Sequence, residues 1–210
     1  MAWAGQGPLL AIAMGYLLGS IPFGLVLTRI AGLGDVRRIG SGNIGATNVL
    51  RTGNKALAAL TLVLDAAKGG IAIGLARHFA AEAALFAGFA AVLGHNFPVW
   101  LKFKGGKGVA TTLGALAVAA WPVGALAAAS WLAVALVLRT SSVAALVALA
   151  AAPVYAYWLS DGAVVALAAA LALLSIIRHR ANIERLLKGT EPRIGARSEA
   201  ETAGPPPSRK

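Results

Sequence analysis

The chain has 210 residues, 58% of them hydrophobic and only 13% charged, with a mean hydropathy of +0.74 and a formal net charge of +11. Soluble domains run at about 45–50% apolar and about 25% charged. A soluble fold of this size could not hide so much apolar surface, so the composition points to an all-α integral membrane protein whose excess positive charge sits outside the hydrocarbon. With no cysteine, disulfides, thiolate metal sites, a Cys nucleophile and an enzyme thioester are excluded.

A bilayer core takes about 20 mostly apolar residues per helix, fewer where a helix is broken or shallow. Seven segments qualify: 8–30, 56–76, 83–101, 109–120, 123–138, 143–159 and 163–177. The first has no basic stretch before it and no convincing cleavage site, and reads as a retained helix. The fourth is short and is followed by Trp121-Pro122, a turn near an interface; fused with the fifth it would run to about 30 residues, too long for one span. Of the 19 Lys and Arg, 17 fall after the first, third and fifth segments or in the C-terminal tail. That asymmetry places the N-terminus outside and the C-terminus in the cytoplasm. Residues 1–190 then form a seven-helix membrane domain. Residues 191–210, rich in Pro, Ser and charge, form a disordered basic cytoplasmic tail. The stretch 178–188 keeps helical periodicity and continues the last helix or lies along the interface.

Polar residues concentrate in three cytoplasmic places. The first loop, 34–55, contains Gly40-x-Gly42-x-x-Gly45, the letters of a dinucleotide fingerprint, but no strand precedes it and no βαβ unit follows. It reads instead as an anion cradle. Gly40 and Gly42 let backbone approach a phosphate, Ser41, Asn43, Thr47 and Asn48 supply short polar groups, and Arg51 supplies a fork suited to bidentate phosphate contact. The third loop, 94–112, places Gly105, Gly106 and Gly108 around Lys107, just before a helix N-terminus that attracts anions. Lys102 and Lys104 add charge there, Lys102 as a headgroup anchor. His95 beside this loop is read as a donor to substrate phosphate or as a satisfied interfacial residue. In the third place, His179 and Asn182 lie three apart and share a helix face. Glu184, five beyond His179, falls on another face, so a His-x4-acid acyltransferase motif is rejected and Glu184 is expected to pair with an Arg. Asp65 and Lys68, inside the second segment, are read as a mutually neutralising pair. Ser141 and Ser142 are expected to divide between capping the sixth helix and facing the site. The eight carboxylates form no cluster able to hold Mg²⁺. A metal-dependent phosphatase or nucleotide kinase is thus disfavoured, and no metal, cofactor or nucleic-acid partner is indicated.

The blocks GSGNIGATNVLR, GHNFPVWLKFKGGKGVATTLG and IIRHRANIERLLKGTEPRIG resemble the three signature motifs of the bacterial membrane glycerol-3-phosphate acyltransferases that use acyl phosphate as donor. GYLLGSIPFG and LDAAKG are similar to that family too, and the resemblance runs from about residue 15 to 195. It implies a seven-helix enzyme of the bacterial inner membrane making lysophosphatidic acid in the first acylation of phospholipid synthesis. It also implies functional roles for Ser41 and Arg51, glycerol-phosphate binding by Lys107 and its glycines, and roles for His179 and Asn182. The expected partners are acyl phosphate, glycerol 3-phosphate, membrane lipid and, by contact, a soluble enzyme that forms the donor. An acyl phosphate carries a good leaving group, so direct attack by the substrate hydroxyl is expected, without a covalent acyl-enzyme. His179 or a substrate phosphate would serve as base. The competing class is a transporter of phosphorylated solutes or lysolipids, disfavoured because the polar residues crowd one side and no inverted repeat is seen.

Overall fold

In lipid an apolar segment must satisfy its own backbone, which helices do. In the computed structural model, which describes residues 6–194, each apolar segment is helical and no strand occurs among the described residues. In chain order the helices are α1 (Gly7–Gly19), α2 (Phe23–Ile30), α3 (Ala46–Val49), α4 (Lys55–Phe79), α5 (Ala84–Asn96), α6 (Val109–Ala119), α7 (Trp121–Leu138), α8 (Ser141–Leu159), α9 (Gly162–Arg178) and α10 (Arg180–Leu187).

Two boundaries differ from the sequence reading, and a third element is bent where that reading left its course open. The first apolar segment is broken at Ser20–Pro22, because Pro22 lacks an N–H and disfavours helix at the residue before it. Trp121-Pro122 opens α7 instead of forming a turn of its own, with proline in the first helical turn, where its missing N–H costs nothing. The last segment does not run straight into 178–188: α9 and α10 meet at 59°, with His179 at the corner.

Among the described residues, five stretches are long and apolar enough to cross a bilayer: Gly7–Ile30, Lys55–Phe79, Ala81–Leu101, Trp121–Leu138 and Ser141–Leu159. The bent pair α9–α10 makes a sixth. At 11 residues, α6 is about 16 Å long and too short to cross alone.

Small residues set how closely these helices meet. A side chain at Gly15 or Gly19 of α1 would strike the backbone of Ala87 or Ala91 on α5, and one at Gly69 of α4 or Gly114 of α6 would strike the backbone of Thr111 or Ala66 across the α4–α6 contact. Such close approach replaces the hydrophobic drive that lipid cannot supply. Leu9, Leu132, Leu136 and Val137 stay exposed, as lipid-facing residues should, and Trp100 at one end and Trp121 and Trp158 at the other lie where amphipathic rings anchor. The start of α9 is fixed by Asp161, whose carboxylate accepts from Val164 N–H at 2.9 Å. Asp161→Ala is expected to cost about 1 kcal/mol, read as a fall of about 2–4 °C in the thermal midpoint in detergent; an unchanged midpoint would remove the cap from the account.

Candidate active site

Loops from four distant parts of the chain gather at one end of the bundle. The loop before α4 is organised from inside by Asn48, which is buried. Its amide nitrogen donates to the carbonyls of Val36 at 2.7 Å, Asn43 at 2.8 Å and Ile39 at 3.1 Å, and its oxygen accepts from Ser41 N–H at 3.1 Å. Asn48 is therefore the hub of the loop and not a surface for substrate. Gly40 and Gly42 adopt φ of +52° and +67°, which glycine tolerates. At Gly40 the fit is also steric, since a Cβ would meet Arg51 Cδ at 2.5 Å and Asn48 Oδ1 at 2.6 Å. Arg51 thus lies across Gly40, next to Ser41, and makes no ion pair among the described residues. Ser41 is exposed, Asn43 and Thr47 are half-buried, and Asn43 turns its side chain back to Gly45 N–H at 3.3 Å. Asp35 is occupied by Arg29 and Arg37, and the Arg37 hydrogen bonds hold its carboxyl well below the usual carboxylate range.

The glycine turn between α5 and α6 is built differently from the cradle expected of it. The N–H groups of Gly105 and Gly106 donate to the carbonyls of Asn96 at 3.2 Å and His95 at 3.0 Å, so neither is free for a phosphate. Their carbonyls are taken by Arg178, whose guanidinium donates to Gly106 at 2.9 and 3.2 Å and to Gly105 at 3.3 Å while lying 4.8 Å over the Phe97 ring. The glycines are needed for closeness: a Cβ at Gly105 would strike the His95 carbonyl, and one at Gly106 the His95 ring. Gly108, at φ +77°, caps α6, whose first-turn N–H groups have no intrahelical partners. His95 is buried beneath the turn, its Nδ1 on Lys68 and its Nε2 against Gly106, and is not open to a solvent-borne phosphate. Lys104 is exposed.

Lys107, half-buried, is the cation the turn presents. Burial pushes its ammonium down to about 8; Glu191 opposes that shift, and Arg185 and Arg178 reinforce it. His179 is buried at the α9–α10 corner, its Nδ1 2.8 Å from the Ser175 carbonyl and 3.2 Å from Ser175 Oγ. A carbonyl only accepts, so Nδ1 carries the proton and Nε2 holds the lone pair of the neutral ring.

Glu191 was assigned by sequence to the tail, yet it is the centre of this region. It accepts from Asn182 Nδ2 at 2.5 Å, Ser142 Oγ at 2.7 Å and Arg185 Nε at 2.7 Å. Burial raises its carboxyl, but these hydrogen bonds outweigh that and hold it below the ordinary glutamate value. The packed chain reaches at least Ile194, whose N–H donates to Arg139 O at 2.6 Å; residues 195–210 lie outside the described residues. Asn182 and Ser142 are thus tied to Glu191, although Asn182 Oδ1 stays buried with no hydrogen-bond partner among the described residues. Neither serine caps α8, since Thr140 holds that position. Glu184 pairs with Lys188 at 2.6 Å, not with an arginine.

An open cavity of about 520 Å³ joins the first loop to the glycine turn, lined by Asp35, Arg37, Arg38 and Gly42 on one side and by Phe103, Lys104, Gly105 and Arg178 on the other, with cations in excess. Arg178 stands between this cavity and the Lys107–His179 region. Sequence reasoning passed over Arg178 and Glu191, though both sit within the third motif block. A cationic cavity over an apolar bundle suits a phosphate attached to an apolar tail.

Residues 9–189 match the glycerol-3-phosphate acyltransferase family. A glycerol-3-phosphate acyltransferase of Paramagnetospirillum magneticum is 60% identical over 191 residues, 90% of this chain and 95% of the relative. One of Rhodospirillum rubrum is 64% identical over 195 residues, 89% of this chain and 90% of the relative. Among solved structures, the glycerol 3-phosphate form of PlsY, an integral membrane glycerol 3-phosphate acyltransferase, superposes with a TM-score of 0.84 at 38% identity, covering 94% of this chain and 99% of that one. Its lysophosphatidic acid form gives 0.82 at the same identity, covering 90% and 95%.

Proposed function

The chain belongs to the glycerol-3-phosphate acyltransferase family, and from that premise we propose that it moves a fatty acyl group from acyl phosphate to the sn-1 hydroxyl of glycerol 3-phosphate. The products are lysophosphatidic acid and inorganic phosphate, the first acylation of phospholipid synthesis. The observation that carries this reading is the cationic cavity where Gly42, Lys104, Gly105 and Arg178 meet at one end of an apolar helical bundle. One substrate is a soluble phosphate and the other a phosphate with a greasy tail, and such a junction serves both.

The hydroxyl oxygen bonds to the acyl carbonyl carbon, the bond from that carbon to the phosphate oxygen breaks, and phosphate leaves with the electron pair. The protein's task is to bring the reacting atoms to about 3–3.5 Å and to neutralise the developing charge. Arg51 and Lys107 hold phosphates in this scheme, and Ser41 orients the donor. The hydroxyl proton goes to Nε2 of His179 or to a substrate phosphate, whose second pKa is near 6. In this reading the chain crosses the inner membrane seven times, the short α6 crossing where the bilayer thins around it. Its N-terminus lies outside and the site faces the cytoplasm, where 17 of its 19 Lys and Arg fall. That placement lets a soluble donor-forming enzyme deliver acyl phosphate.

The test is turnover by purified protein in detergent with EDTA, using labelled glycerol 3-phosphate and either palmitoyl phosphate or palmitoyl-CoA. Labelled lysophosphatidic acid is expected from palmitoyl phosphate alone. Product from the CoA ester would overturn the donor assignment. No product from either, with folded protein, would overturn the enzyme reading in favour of transport.

A further inference from the structure

Three ionisable groups lie buried beneath the glycine turn, outside the chemistry described so far. Lys68 of α4 is 1% exposed, Asp65 one turn earlier 2%, and His95 of α5 4%. The Lys68 ammonium lies 2.7 Å from Asp65 Oδ1, 2.9 Å from the Ile21 carbonyl at the α1–α2 break, and 2.9 Å from His95 Nδ1. An ammonium has three hydrogens and no lone pair. The 2.9 Å contact therefore requires His95 Nδ1 to accept, as the Ile21 carbonyl does, while Asp65 Oδ1 is a close counter-charge with no hydrogen-bond partner among the described residues. A neutral imidazole that accepts at Nδ1 carries its proton on Nε2. The direct His95 Nδ1–Asp65 Oδ1 separation, 3.5 Å, is too long for a good N–H···O bond.

The free edge of the ring faces the active-site turn. A Cβ on Gly106 would collide with His95 Nε2, so the imidazole is the floor on which Gly106 rests. The His95 carbonyl also receives the Gly106 N–H, at 3.0 Å. One residue along is Lys107. Simple charge neutralisation needs only Asp65 and Lys68; the further bonds to His95 and Ile21 connect that pair to a catalytic loop and to a helix break 47 residues away in sequence.

We propose that Asp65, Lys68 and His95 form a buried positioning relay, in which Lys68 fixes His95 as its Nε2–H tautomer and thereby sets the height of the glycine turn that presents Lys107 to substrate. These are positioning residues, since none of them touches the reacting atoms. The functional half rests on the proposed acyl transfer; the tautomer does not.

The experiment is ¹⁵N NMR of ring-labelled histidine in the full chain in detergent, the His95 resonances being those that vanish in His95→Asn, paired with steady-state kinetics of Lys68→Met. The wild-type protein is expected to show His95 with Nδ1 unprotonated and Nε2 protonated. In Lys68→Met that signature is lost and KM for glycerol 3-phosphate rises roughly tenfold, with kcat changed less, because a shift well under the 1 Å that costs about 10²-fold is at issue. A wild-type ring protonated at Nδ1 overturns the relay, and this holds even where Lys68→Met fails to fold. A folded Lys68→Met with unaltered KM overturns the link to the turn. Absence of wild-type turnover with palmitoyl phosphate would count against the proposed function and leave the tautomer result standing.

Discussion

Replacing Lys107 by Met is expected to lower kcat/KM for glycerol 3-phosphate by on the order of 10²–10³-fold, the range found when one preorganised partner of a developing charge is removed. Lys107 follows glycines whose N–H and C=O groups are all bound by His95, Asn96 and Arg178. A cation on so fixed a base needs little reorganisation when charge develops. Its surroundings also predict how the wild-type enzyme responds to pH. Burial lowers the Lys107 ammonium to about 8. Below that value the side chain is a cation able to bind a phosphate; above it the cation is lost. The substrate phosphate becomes a dianion above about pH 6. Substrate capture is therefore strongest between these limits and falls about tenfold per unit as pH rises beyond 8. The limb belongs to the free enzyme and appears in kcat/KM. Lys107→Arg keeps its charge throughout and is expected to remove the limb even where its absolute rate is lower. A wild-type kcat/KM flat from pH 7 to about 9.5, with the Met variant within threefold of wild type, would take Lys107 out of phosphate binding.

What the sequence disclosed and what it hid divide along a physical line. Apolar runs report their own burial, so α4, α5, α7 and α8 lie within a few residues of where composition puts them. The break in the first segment was legible too, because Pro22 stands inside it, yet an uninterrupted hydropathy outweighed that signal. Motif residues close in sequence were also readable as groups: Arg51 lies against Gly40, the chain neighbour of Ser41. Contacts between remote residues were not. Nothing in the letters says that His95 bonds to Lys68, 27 positions away, or that Ser142 bonds to Glu191, 49 positions away. The first pairing follows from how small residues let α1, α4, α5 and α6 nest; the second joins the start of α8 to the segment after α10.

The same distinction explains why several polar residues changed role. A polar side chain in a loop looks available to substrate until the loop's own backbone is counted. Asn48 is consumed by three carbonyls and an N–H of its loop, and Gly105 and Gly106 by the backbone beneath them. Buried polar groups must be satisfied, and at this end of the bundle much of the polar inventory performs that service. What is left for phosphate is a smaller set of cations: Arg51, Lys107 and, around the cavity, Arg38 and Lys104.

Ser41→Ala is expected to cost on the order of 10²-fold in kcat and to leave measurable turnover. That limit separates two mechanisms. Loss of a true covalent nucleophile costs on the order of 10⁶-fold, whereas loss of one orienting hydrogen bond costs about 10²–10³-fold. A serine nucleophile needs a base within reach of its hydroxyl. The one hydrogen-bond partner of Ser41 Oγ among the described residues is Asn48 Oδ1, at 3.4 Å. An amide oxygen accepts a hydrogen bond but cannot take the proton, and Asn48 is already bound on every side. The hydroxyl is exposed on a turn held by positive-φ glycines, with Arg51 lying over the neighbouring residue. That geometry suits a donor aimed at a phosphate or a carbonyl oxygen. Incubation with palmitoyl phosphate alone is correspondingly expected to leave Ser41 unacylated by mass spectrometry. A stable acyl-Ser41 that transfers its chain when glycerol 3-phosphate is added, together with a loss near 10⁶-fold in Ser41→Ala, would establish the covalent route. It would also require a base at Ser41 that the resting geometry does not place there.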